Sequence, residues 1–106
     1  MAKLLHHNPF GYTARCPRAA GFVHLCFGTV GLALTPPELA DFRSRISEAY
    51  SIHAAAVNLD PEARCIAVRS SAERLALVFT FSELSQLLEL LDCTALFLEA
   101  EELLKG

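Results

Sequence analysis

The sequence predicts an α+β fold of two ββα halves, with an antiparallel or mixed sheet of four to five strands and two helices packed on one face. Two observations lead there. Val30-Gly-Leu-Ala-Leu-Thr-Pro-Pro-Glu-Leu39 can be laid over Leu75-Ala-Leu-Val-Phe-Thr-Phe-Ser-Glu-Leu84: each has an apolar run, a Thr, a Glu three positions on, and a Leu. That is the pattern of a strand running directly into a helix N-terminus. A second strand candidate precedes each of these runs, so the order reads as hairpin then helix, twice over.

Thr35 and Thr80 are the expected N-caps. Their hydroxyls can accept from the N–H of Glu38 and Glu83, whose carboxylates can reach back to the cap N–H. Leu34 with Leu39, and Phe79 with Leu84, stand at the spacing of a hydrophobic staple, and Pro36 fits the first helical position. The preceding strands are Phe22-Val-His-Leu-Cys-Phe27, turned at Gly28, and Cys65-Ile-Ala-Val68, followed by the polar turn from Arg69 to Glu73. Cys65 reads as a core position. Gly11-Tyr-Thr-Ala-Arg-Cys16 adds a further strand candidate, closed by Pro17. The first helix is expected from Pro36 to His53, with Leu39, Phe42, Ile46, Ala49 and Tyr50 as its buried stripe and His53 placed to favour the C-terminal dipole. Ala54 to Arg64 is the connecting loop, marked by Asn58 and Asp60-Pro61.

The second helix starts after Thr80 and is overly rich in leucine. Leu84, Leu87, Leu88, Leu90 and Leu91, then Ala95, Leu96, Phe97 and Leu98, cover more than one core-facing stripe. The sequence leaves open whether the helix runs through Asp92-Cys-Thr94. The surplus predicts a second buried surface, and a homodimer contact through Leu87, Leu90, Leu91 and Phe97 is the expected use.

At 106 residues, 53% hydrophobic and 20% charged, the chain is expected to form one domain spanning residues 1–106. The net charge is −3, and only Lys3, Arg15 and Arg18 are charged before Glu38, too few for a phosphate-tracking surface, so no nucleic-acid role is expected. Six acids follow Phe81 against Lys105 alone. These opposite-signed ends read as solvated surface. The start lacks the apolar stretch of a secretory signal, and no apolar run reaches membrane-spanning length, so a cytoplasmic protein without a membrane partner is expected. In that reducing setting Cys16, Cys26, Cys65 and Cys93 should be thiols.

Few constellations could carry chemistry. Cys16, His24 and Cys26 are the candidate metal ligands, joined by His6 or His7, because zinc takes Cys and His in close sets and His24 and Cys26 share one strand face. A thiol nucleophile would have to combine Cys65 or Cys16 with His53, and no local signature supports that. Gly28 and Gly31 lack the spacing of a phosphate-binding loop. Arg64, Arg69 and Arg74, with Arg15 and Arg18, read as edge and turn charges. The leading expectation is a non-enzymatic interaction or structural module, self-associating or docking a protein partner. The alternative is a metal or small-ligand binding protein using the N-terminal Cys and His residues.

Gly11-Tyr-x-x-x-Cys16, His24-Leu-Cys-Phe-Gly-Thr-Val30 and Leu75-Ala-Leu-Val-Phe-Thr-Phe-Ser-Glu-Leu84 together resemble a family of small, uncharacterised proteins from Bacteroidetes-type bacteria, over residues 8–98. The resemblance implies a lineage and a fold, and no activity. Members often carry Cys-x-x-Cys after the Gly-Tyr segment; here Cys16 matches the first position and Ala19 stands at the second.

Overall fold

The computed structural model describes residues 3–16, 21–56, 60–70 and 74–105. The elements run β1 (Lys3–Asn8), β2 (Gly11–Arg15), β3 (Val23–Phe27), β4 (Val30–Leu34), α1 (Pro36–Ala54), β5 (Ile66–Arg69), β6 (Ala76–Phe79) and α2 (Phe81–Lys105). The class is α+β and all strand pairing is antiparallel. The expectation of a single sheet needs refining. The strands divide into a four-stranded meander, β1-β2-β3-β4, and a separate β5-β6 hairpin. β1 was not legible in the sequence, since Lys-Leu-Leu-His-His-Asn has no clean alternation and carries an irregularity between Leu4 and His6. Pro17, Arg18, Ala19, Asn58 and most of the turn expected after Arg69 lie outside the described residues.

Both strand-to-helix junctions form as the echo predicts. Thr35 caps α1, with Glu38 N–H donating to Thr35 Oγ1 at 3.4 Å and Thr35 N–H donating to Glu38 Oε1 at 2.9 Å. At α2 the reciprocal pair, Glu83 N–H to Thr80 Oγ1 and Thr80 N–H to Glu83 Oε1, is 3.0 Å each way. Leu34, Leu39, Phe79 and Leu84 are all buried in one core cluster. Glu83 also receives both guanidinium nitrogens of Arg64, at 2.5 and 3.0 Å. Those bonds hold its carboxyl below the ordinary value against the opposing effect of burial. The bond from the Thr35 backbone does the same for Glu38.

Each turn has a local cause. Gly28, at φ 53°, supplies the left-handed residue that the two-residue β3–β4 hairpin needs. Asn8 Oδ1 accepts from Phe10 N–H at 2.9 Å and Gly11 N–H at 3.2 Å, an Asx turn that closes β1 onto β2. Gly11 is required for a different reason: a Cβ there would stand 2.0 Å from the Cys26 carbonyl oxygen, so any side chain would push β2 off β3.

The two halves share one core. α1 touches β4 and β5, while α2 touches α1, β1, β2 and β6. Phe10, Phe27 and Phe79 meet with ring centroids 5.2–6.4 Å apart and join the two sheets, and Tyr50 stacks on Phe81 at 5.1 Å to join the helices. α2 runs unbroken through Asp92-Cys-Thr94. Thr94, fully buried, donates its hydroxyl to Leu90 O at 2.7 Å and lies 2.6 Å from the Oγ1 of fully buried Thr13. Thr13 is thereby the donor to Thr94, and a polar residue in a leucine-rich helix is fully satisfied.

Replacing Thr94 by Val keeps the shape and strands the Thr13 hydroxyl in the core. A loss of about 1–3 kcal/mol is expected in chemical denaturation, with most of it recovered in the Thr13→Val/Thr94→Val double variant. Simple additivity of the two single losses would contradict the pairing. A second expectation concerns acid. Carboxylates with lowered folded-state values stabilise fully above the unfolded value of about 4.3 and lose that contribution as pH falls through the folded value. Glu83→Gln keeps the capping geometry but removes the titrating charge. Its denaturation midpoint should therefore fall less than that of the wild type between about pH 6 and about pH 3; equal falls would exclude Glu83 as a contributor.

Candidate functional site

Alternation along the strands sorts the four-stranded sheet into two sides. His6, Asn8, Thr13 and Arg15 all reach α2, so they mark the covered side. Register places Tyr12 opposite Cys26 and Ala14 opposite His24, and this alternate set points to the other side.

The metal ligands expected from sequence do not come together as a set. His24 and Cys26 share the side away from the helices, but Cys16 is hydrogen-bonded through its N–H to Phe22 O at 3.0 Å, beyond the end of the β2–β3 ladder. That leaves Cys16 four residues along the ladder from the position opposite Cys26, about 13 Å at the usual strand rise. His7 pairs with Tyr12 on the far side of the sheet from His6. Cys26 acts instead on Tyr12: hydrogen bonding to it and its charge hold the phenol above the ordinary value.

Among the described residues, one group of three metal-ligating side chains comes within reach of a single ion: His6, Glu89 and Cys93, with ligand atoms all within 4.8 Å of one another. His6 comes from β1, while Glu89 and Cys93 stand four apart on α2 and so share a face. His6 Nε2 lies 2.7 Å from Glu89 Oε2, and the Cys93 thiol donates to the same oxygen at 3.4 Å. Asn8 Nδ2 donates to Glu89 Oε1 at 3.0 Å and to Gln86 O at 2.9 Å, which fixes the carboxylate from behind. Burial pushes the Glu89 carboxyl up, but the bonds from Asn8, His6 and Cys93 outweigh it and the group titrates below its ordinary value. Burial, the bond to Glu89 and the charges of Glu89 and Asp92 all push the Cys93 thiol up. One turn earlier on the same helix, Gln86 Oε1 is buried with no hydrogen-bond partner among the described residues. Sequence reading reached His6 but neither Glu89 nor Cys93. The Glu-x-x-x-Cys spacing on a helix was a weak local signal, and 83 residues separate it from His6.

The leucines expected at a contact between chains have another role. Leu87, Leu90 and Leu91 are fully buried within the single chain, and Phe97 packs against the same core. The surplus is taken up because α2 is flanked by α1 as well as by both sheets. The leucines of α2 that do face solvent are Leu96, Leu103 and Leu104.

The remaining candidates for chemistry are apart. Cys65, expected in the core, is exposed just ahead of β5. His53 Nδ1 donates to Ala49 O at 2.9 Å at the end of α1. All four cysteines carry free thiols. Arg15 pairs with Glu101, which Lys3 also approaches at 3.7 Å, and Arg64 pairs with Glu83, so these arginines serve folding contacts rather than a free basic patch. A cavity of about 210 Å³ beside Arg15 and Glu101 is below the usual size for a small-molecule site. A more open polar groove of about 460 Å³ runs along α1 past Ser44, Ser47 and Ser51 to the Arg43–Asp92 ion pair. Among the described residues, neither lining includes a His or a Cys. No helix among the described residues is long and apolar enough to cross a membrane.

Comparison of the chain with protein-family models, with curated proteins and with solved structures found no match, so the lineage suggested by the Gly-Tyr and His-Leu-Cys-Phe-Gly-Thr-Val segments rests on those motifs alone.

Proposed function

We propose that this domain is a non-enzymatic interaction module that pairs with a second copy of itself along the edge of β4, which no strand among the described residues covers. The observation that supports this reading is the contrast between the two edges of the four-stranded sheet. β1, at one edge, carries Lys3 and a break in register between Leu4 and His6. Charges and bulges are the usual devices that keep an edge from recruiting another strand. β4, at the other edge, is Val-Gly-Leu-Ala-Leu, in regular register over all five residues, without charge, proline or bulge.

Such a strand offers its backbone donors and acceptors to an added strand. A second β4 suits it because an antiparallel pair centred on Leu32 is self-complementary and sets no like charges against each other, on a chain whose net charge is −3. Val30 and Leu32 are only half-buried on the helix-covered side, and a strand added beside them would complete their burial. Gly31 and Ala33, both exposed, present a flat surface on the opposite side. The interface moves from the α2 leucines, which the chain itself covers, to the sheet edge. A cytoplasmic setting belongs to the same reading, since four free thiols suit a reducing compartment.

Light scattering coupled to gel filtration tests this. The wild type should run as a dimer of twice the 11.6 kDa chain mass at high concentration. Ala33→Lys, at an exposed position, should give a folded monomer because it sets a charge on the edge. A wild-type monomer at every concentration, or an Ala33→Lys variant that stays dimeric, would remove the proposal.

A further inference from the structure

We infer that His6, Glu89 and Cys93 form a divalent transition-metal site, zinc being the ion they suit, which ties β1 to α2. The inference is independent of how the β4 edge is used. Its basis is the mixed donor set: an imidazole nitrogen, a carboxylate oxygen and a thiol sulfur, drawn from two elements 83 residues apart and converging within 4.8 Å. A surface cluster of acids would favour a hard ion such as calcium or magnesium, whereas nitrogen and sulfur donors select a borderline ion.

The geometry is close to what such an ion needs. Bonds of roughly 2.0–2.3 Å in a tetrahedral arrangement set ligand atoms about 3.3–3.8 Å apart. Cys93 Sγ already stands 3.4 Å from Glu89 Oε2, and the 2.7 Å His6–Glu89 contact has to open by only roughly half an ångström to reach that spacing. The Nε2 proton of His6 in its hydrogen bond to Glu89 would move to Nδ1 of the neutral ring or, from a charged ring, leave to solvent as Nε2 and the carboxylate bind the metal, and the Cys93 proton would leave to solvent as the thiolate binds. Asn8, donating to the second oxygen of Glu89, plays the part of the outer partner that orients a ligating carboxylate. Three protein ligands leave a fourth position, and with the Glu89 side chain 45% exposed that position opens to water.

The supporting contacts make a built site of it. Asn8 holds the β1–β2 turn with one end of its amide and the backbone of α2 at Gln86 with the other. β1 is therefore already seated at the correct register before any metal arrives, which limits the ordering that binding requires.

Cobalt titration of reduced, metal-free protein is the direct test, because a cobalt–thiolate bond has its own charge-transfer absorption. One equivalent of cobalt should produce that band in the wild type, and zinc should displace it. The band should be absent in Cys93→Ser and retained in Cys65→Ser, which removes the exposed thiol. Glu89→Gln, at a solvent-exposed position, should stay folded by circular dichroism and weaken zinc binding by more than roughly tenfold. No band in the wild type, a band that survives Cys93→Ser, or zinc affinity unchanged by Glu89→Gln would each overturn the site. Should Cys93→Ser fail to fold, the Glu89→Gln affinity decides alone.

Discussion

The register of α2 against β1 and β2 is the constraint on which the rest of the molecule depends. Leu84, Leu87, Leu90 and Leu91 are fully buried, and each contributes roughly 1.5–3 kcal/mol through burial. Burial of leucine is non-directional, however, and a helix slipped by one turn would still present leucines to the core. Polar pairs remove that freedom. Asn8 meets Gln86 and Glu89, Thr13 meets Thr94, and Arg15 with Lys3 meets Glu101. The central pair has no access to water, so any other register would leave buried hydroxyls unpaired. Hydrophobic burial holds the helix down, and the threonine pair at the centre decides where.

The same docking accounts for the charge asymmetry of the chain. The basic N-terminal stretch and the acidic C-terminal helix look like two unrelated solvated ends in one dimension. In the fold, β1 and β2 lie under α2, and Lys3 and Arg15 meet Glu101 across that contact. Exposed pairs of this kind are individually weak. Their sign pattern still opposes the reverse placement of the helix, which would set Glu101 away from both Lys3 and Arg15.

The two proposed functions use opposite ends of the sheet order. At the β1 edge, a bulge and a lysine discourage strand addition, and the side chains turned toward α2 gather donors suited to a metal. At the β4 edge the strand itself carries no charge, proline or bulge. A dimer built through β4 would leave His6, Glu89 and Cys93 three strands from the new interface, so occupancy of one does not obstruct the other.

Much of the local structure was legible without coordinates. Both threonine caps, the glutamates that reciprocate them, the start of each helix and the strand before it follow from interactions among residues three to five apart. What could not be read depends on long-range approach. β1 is a strand because β2 pairs with it and α2 covers it, not because Lys-Leu-Leu-His-His-Asn favours extension. The leucine surplus on α2 looked unpartnered because a linear pattern does not show that α1 and two sheets surround that helix. Cys65 looked like core from its apolar neighbours, yet it falls one residue before β5, where the alternation that buries Ile66 leaves it exposed. The sequence by itself determined the class of the fold and its two capped helices, since propensity and capping act within a few residues. Only the tertiary structure decided the candidate site, because His6 meets Glu89 and Cys93 through a packing contact that no local interaction encodes.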